Sequence, residues 1–135
     1  MDKLDEQIVE LLKKNSRMPF VDIGKKLGVS EGTVRGRVQR LTDGGIIRQF
    51  TIKTANKNVI ALVEVKIKVN INTANVAERI MKFKGIERVY EVSGEHDIVA
   101  IINVMSTLEL NSIIEEIRRF SDTISTHTRI ILKEY

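Results

Sequence analysis

The sequence predicts an α+β protein: an N-terminal winged helix-turn-helix followed by a C-terminal ferredoxin-like β-α-β-β-α-β domain. Three observations lead there. Residues 20–47 read as two short helices joined by glycine, valine and serine. Residues 59–132 alternate apolar and polar side chains in four stretches, with two helical stretches between them. The excess positive charge lies wholly in the first part.

Asp2 to Asn15 reads as an amphipathic helix with Leu4, Ile8, Leu11 and Leu12 on its apolar stripe. Asp2 can cap it, and Asn15–Pro19 breaks the chain into the next element. A helix from about Val21 to Leu27 carries Ile23 and Leu27 on one face. Gly28 stands where a chain leaving a helix takes a positive φ, and Val29 can plug the corner. Ser30 is a suitable N-cap for a second helix, which carries Val34, Val38 and Leu41 at i, i+4 and i+7. Asp43-Gly44-Gly45 ends it. This is the spacing of a helix-turn-helix, whose second helix enters the DNA major groove. With the apolar stripe inward, Gly32, Gly36, Gln39 and Arg40 point outward, and Thr33 and Arg35 lie on the flanks. Arg37 falls nearer the core edge, where it can bond a backbone phosphate or a neighbouring helix rather than a base. Glycine inside a helix costs about 1 kcal/mol against alanine, so Gly32 and Gly36 call for a reason. Close approach of the helix backbone to the groove is one; drift on a tolerant surface is the other. Ile46 to Lys53 reads as a strand, hence the winged variant.

Thr54–Asn58 is polar and aperiodic, a linker between residues 1–53 and 59–135. Val59 to Val69 alternates as a strand. Asn72-Thr73 can cap a helix carrying Val76, Ala77, Ile80 and Met81, which Gly85 stops. Ile86–Ser93 is a second strand, Gly94-Glu95-His96 a tight turn, and Asp97–Val104 a third strand. Ser106 or Thr107 caps a helix bearing Leu110, Ile113, Ile114 and Ile117, and Thr123–Leu132 is a fourth strand. Two helices cover one face of such a sheet. Yet strand three is apolar on both faces, and strand one adds Ile60 and Leu62 on its second face. Left in water they would form a large apolar patch, so at least a homodimer paired through these sheets is expected.

Residues 1–58 hold 12 Lys/Arg against 7 Asp/Glu, and residues 59–135 hold 10 against 11. Beside a helix-turn-helix, an excess of +5 reads as phosphate binding; a solvated lysine-rich face is the plainer alternative. There is no cysteine, so neither disulfides nor thiolate metal sites are available. No apolar run approaches the ~20 residues of a membrane span, and no signal-peptide pattern opens the chain. A cytoplasmic protein is expected. His96 and His127 have no ligand-like spacing, so no metal is predicted, and no catalytic constellation stands out.

These residues resemble the Lrp/AsnC family, the feast/famine regulatory proteins. The N-terminal signature reads Leu4-Asp5, Ile8, Leu11-Leu12 and Asn15-Ser16-Arg17. It runs on through Ile23–Ser30, Thr33-Val34, Arg37-Val38, Leu41, Gly44/Gly45 and Ile46-Ile47. The C-terminal match is Gly94-Glu95-His96-Asp97 between two strands. The resemblance spans essentially the whole chain, and Gly32 and Gly36 depart from the family's usual recognition helix.

The resemblance implies a sequence-specific transcriptional regulator that binds double-stranded DNA and dimerises through its C-terminal domain. Further assembly, commonly to octamers, is implied, as is an amino acid or related effector without any other cofactor. The helix-turn-helix reading puts DNA binding on Ser30, Glu31, Gly32, Thr33, Arg35, Gly36, Arg37, Gln39 and Arg40. The resemblance places effector binding on Gly94, Glu95, His96, Asp97, Thr107, Thr126, Thr128, Arg129 and Ile130. The chemistry suits an amino acid: Asp97 can take the ammonium, and amides of the glycine turn the carboxylate. Asp97 as a turn residue bonding its own backbone is the alternative. Two other functions compete. Some siroheme decarboxylases look like this family, and would cast His96 or His127 as catalytic. An effector-independent DNA-packaging protein is the other.

Overall fold

The computed structural model describes residues 1–55 and 57–135. It resolves into two compact units, Met1–Thr54 and Ala55–Tyr135. Of the segment expected to link them, Asn56 lies outside the described residues.

The first unit holds α1 (Lys3–Lys14), α2 (Phe20–Leu27) and α3 (Glu31–Asp43). Asp2 caps α1 in a reciprocal box: its carboxylate accepts from the Asp5 amide at 2.9 Å, and the Asp5 carboxylate accepts from the Asp2 amide at 3.0 Å. Two orphan amides of the first turn are satisfied that way. Ile8, Ile23 and Val34, one from each helix, are fully buried against each other, with Leu12 and Val38 beside them. Gly28 leaves α2 at φ +69°, and Val29 packs on this core as expected. Gly24 is the tight point of the corner: a Cβ there would stand 2.6 Å from the Val29 carbonyl oxygen. Any side chain at Gly24 forces the two helices apart, a requirement that apolar periodicity does not reveal.

One expectation is overturned here. Ile46 to Lys53 forms no strand. The Ile46 and Ile47 amides instead bond the Leu41 carbonyl at 2.9 and 3.0 Å, closing α3. A strand exists only with a ladder partner. No strand lies within residues 1–54 to supply one, so the wing is absent from this chain taken singly.

The second unit holds β1 (Val59–Ile67), α4 (Thr73–Met81), β2 (Ile86–Glu91), β3 (Ile98–Val104), α5 (Thr107–Arg118) and β4 (Thr123–Ile130). The sheet order is β2-β3-β1-β4, with every neighbouring pair antiparallel. That is the split β-α-β arrangement expected. Asn72 and Ser106 cap the two helices. Ala61, Val63, Val65 and Ile67 of β1 alternate into the core with Ile98, Ala100, Ile102 and Val104 of β3. Val76 and Ile80 of α4, and Leu110, Ile113, Ile114 and Ile117 of α5, close that side. The strand ends come earlier than the alternation suggests: Val69 is 85% exposed and Leu132 95% exposed, each past the end of its strand. On the opposite side of the sheet Ile60, Leu62, Val99 and Ile101 are only half-buried, as the doubly apolar strands imply. Among the described residues no helix is long and apolar enough to cross a membrane.

Candidate nucleic-acid interface and effector site

The outward side of α3 follows from its buried stripe. Val34, Val38 and Leu41 are sealed inside, so Glu31, Gly32, Thr33, Arg35, Gly36, Gln39 and Arg40 are exposed along one flank. Ser30 is committed to the cap, its Oγ accepting from the Thr33 amide at 3.1 Å and sharing a 2.9 Å hydrogen bond with Thr33 Oγ1. Gln39 Nε2 donates to Asp43 Oδ1 at 2.8 Å. Arg35 pairs with Glu31 one turn back and lies 5.4 Å over the Phe20 ring. Arg40 is the loosest cation of this face, 69% exposed and 4.0 Å from Asp5. Among the described residues nothing requires the two glycines. A Cβ at Gly36 would meet no atom within 4 Å, and one at Gly32 would meet only Ser30 Oγ at 3.8 Å. Internal packing is thereby removed as their explanation, and the bare flank they leave is open to an approaching partner.

Arg37 departs from the outward group. Its side chain is 23% exposed, and its Nη1 donates to Asp2 Oδ2 and, at 3.0 Å, to Asp5 Oδ1. Of the two alternatives open in the sequence, the neighbouring helix holds it. The Arg37 bond, with the Asp5 amide second, lowers the Asp2 carboxyl from 3.8 to about 2. Asp5 is also lowered, first by the Asp2 amide and then by Arg37, while Arg37 is raised by both acids. Such depressed carboxylates stabilise the fold above their ordinary range and lose that contribution as the pH falls from there through the lowered value, about 2 for Asp2.

The residues expected at the effector site do not all meet. Gly94, at φ +120°, opens the turn between β2 and β3. Asp97 closes it and is already engaged: its carboxylate accepts from the Ile67 amide at 2.9 Å and lies 3.4 Å from Lys66 Nζ. Its own amide donates to the Val65 carbonyl and its carbonyl accepts from Val92, both at 3.0 Å. Its carboxylate thus bonds a neighbouring strand rather than its own turn, and the Ile67 amide, then Lys66, holds that carboxyl below the usual range. His96 lies beside His127 with ring centroids 6.3 Å apart, a proximity that sequence distance conceals. Among the described residues no group of three or more His, Cys, Asp or Glu side chains is placed to hold a metal.

The four residues of β4 divide between the two faces. Val65, Val63 and Ala61 point into the core, and their partners Thr126, Thr128 and Ile130 share that side. Arg118 Nε accordingly donates to Thr126 Oγ1 at 2.9 Å from α5. Arg129 takes the opposite, open side, 3.0 Å from Glu64 Oε2. Thr107 begins α5 beyond the far end of β3, roughly 20 Å from the turn at ~3.3 Å per strand residue. One turn, His127 and the Glu64–Arg129 pair thus gather on the open face. A groove of about 540 Å³ lies elsewhere, lined by Asn70, Asn72, Asn75, Arg79, Lys82 and Asp122 among others.

Comparison with known proteins matches both units. Residues 1–42 match the AsnC-type helix-turn-helix domain and residues 59–135 the Lrp/AsnC ligand binding domain. The HTH-type transcriptional regulator LysM of Sulfurisphaera tokodaii is 37% identical over 134 residues, covering 98% of this chain and 96% of that protein. The regulator FL11 of Pyrococcus furiosus is 31% identical, covering 98% of this chain and 90% of its own. A transcriptional regulator from Neisseria meningitidis, solved with L-Met, superposes with a TM-score of 0.85 at 20% identity, covering 99% of this chain and 91% of that one. The chain is a member of the Lrp/AsnC family of helix-turn-helix transcriptional regulators.

Proposed function

We propose that this regulator binds duplex DNA through α3 and that a free amino acid bound to the second unit shifts its assembly or its hold on DNA. The observation that carries the DNA half is the exposed flank of α3, where Arg35 and Arg40 stand beside two bare glycines on the basic part of the chain. In this reading residues 1–53 are the DNA-binding domain. Residues 59–135 are the effector and oligomerisation domain, with a dimer formed by the open faces of two sheets and octamers built from dimers. The setting is cytoplasmic, and no catalysis is assigned.

The family's ligand-binding unit and the neighbour solved with L-Met support an amino acid effector. Asp97 is proposed to hold the ammonium, exchanging Lys66 for it while keeping the Ile67 amide. A thermal-shift screen of the full chain against the common amino acids tests this. A ligand at a hundred times its dissociation constant adds about 2.7 kcal/mol, which for units of this size raises the midpoint by several degrees. Asp97→Asn should abolish the shift. No shift with any amino acid, or an undiminished one in Asp97→Asn, removes the site from the turn.

A further inference from the structure

We infer that Arg37 is a positioning residue for α3 and not a DNA contact: the acid pair Asp2/Asp5 at the start of α1 grips its guanidinium and sets the roll of the DNA-reading helix. The inference rests on α3 being that helix.

The network is closed. Each of the four carboxylate oxygens of Asp2 and Asp5 has one assigned donor. Asp2 Oδ1 accepts from the Asp5 amide and Asp5 Oδ2 from the Asp2 amide. The remaining two oxygens, Asp2 Oδ2 and Asp5 Oδ1, accept from Arg37. Asp5 is 7% exposed and is the only charged residue of the described chain that is buried. A phosphate contact would draw Arg37 away and leave that buried acid without its hydrogen-bonded cation, with only the exposed Arg40 4.0 Å off, and removing the bonded partner of a buried charge is strongly destabilising. Arg35 and Arg40, at 66% and 69% exposed, face no such penalty.

The grip also does something the core does not. Val34, Val38 and Leu41 hold α3 by non-directional contact, which resists separation more than it resists rolling. A planar guanidinium held by two carboxylates is directional. It joins residues 32 and 35 positions apart in the chain, so the start of α1 fixes which side of α3 faces out. Groove reading depends on that side, whereas loose phosphate attraction does not.

The two assignments of Arg37 predict opposite signs for an acid substitution. If Arg37 held a phosphate, Asp5→Asn would release it and remove an anion near DNA, so binding would hold or tighten. If Arg37 positions α3, binding weakens. The test uses the full chain, a duplex enriched by the parent protein from a random library, and a scrambled duplex of equal length. Anisotropy is read at a temperature where circular dichroism shows every variant folded. Asp5→Asn and Arg37→Gln should each weaken the selected duplex by about tenfold and the scrambled one by under about twofold. The double variant should be no weaker than the weaker single, and the slope of log affinity on log salt should not change. Asp2→Asn, on the exposed acid, carries the same sign should Asp5→Asn fail to fold. Unchanged or tighter binding by the acid variants overturns the inference. So does a slope reduced by about 0.9 per contact in Arg37→Gln. A lower melting temperature with unchanged selectivity would reduce Arg37 to a stabilising role and equally overturn it. A parent that binds no duplex ends the DNA reading itself, and this inference with it.

Discussion

Replacing Arg35 and Arg40 together with alanine is expected to lower affinity for duplex DNA by at least about a hundredfold near physiological salt, with the fold and assembly intact. Both guanidiniums stand on the exposed flank of α3, and the buried acid near Arg40, Asp5, is hydrogen-bonded by Arg37 rather than by Arg40. Their present partners, Glu31 one turn away and Asp5 at 4.0 Å, are exchangeable. A charge-assisted bond to phosphate is worth about 1.5–3 kcal/mol, and a dimer loses four of them. If each holds one phosphate, the slope of log affinity on log salt falls by roughly 3 to 4. Stability should move little, since exposed substitutions usually change it by under about 0.5 kcal/mol each. A salt titration by anisotropy checks both numbers. Affinity within about twofold of the parent would place the DNA contacts on another element.

The second large effect is expected on the open face of the sheet. Leu62 of β1 and Ile101 of β3 are direct cross-strand partners there, flanked by Ile60 and Val99. Helices cover only the other face. In a dimer built on this face, Ile60→Glu on both protomers buries two like charges with no cation in register, because residue 60 lies opposite Asn103 of β3 and beside Ile131. Breaking pairing in this way typically costs 3–5 kcal/mol, enough to raise the dimer dissociation constant by a factor of about 10²–10³. Sedimentation equilibrium should find the parent at twice 15.4 kDa or a multiple of it, and the variant at 15.4 kDa. Circular dichroism shows whether the released monomer keeps its sheet. A parent that sediments as a single chain at micromolar concentration would contradict pairing through this face.

The residues that announce this fold act locally. Asp2, Ser30, Asn72 and Ser106 each bond an amide within three residues, and each is the cap its position suggests. The β1 and β3 alternation is legible for the same reason, because a pleat sends successive side chains to opposite faces. What the sequence hides depends on partners far along the chain or outside it. Ile46 to Lys53 has the composition of a strand but no ladder partner in its own unit. Arg37 looks like one more outward cation until Asp2 and Asp5 are brought to it. Alternation alone sets Arg129 on the opposite side from Thr128 and Ile130, but which of the two sides faces the helices is fixed by register with β1, which neither strand encodes alone. Gly24 carries no periodic signal, yet the corner closes only because it lacks a Cβ.

A single titration joins the two halves of this protein. The selected duplex is titrated with the full chain at fixed salt, in the presence of each common amino acid in turn at about tenfold excess over its expected dissociation constant. Coupling between sites in one protein commonly amounts to 5–150-fold. At least one amino acid should therefore move the binding midpoint by about fivefold or more, in the parent but not in Asp97→Asn. Coincident midpoints across the whole panel, with DNA binding otherwise intact, would contradict an amino acid effector and favour an effector-independent DNA-packaging protein.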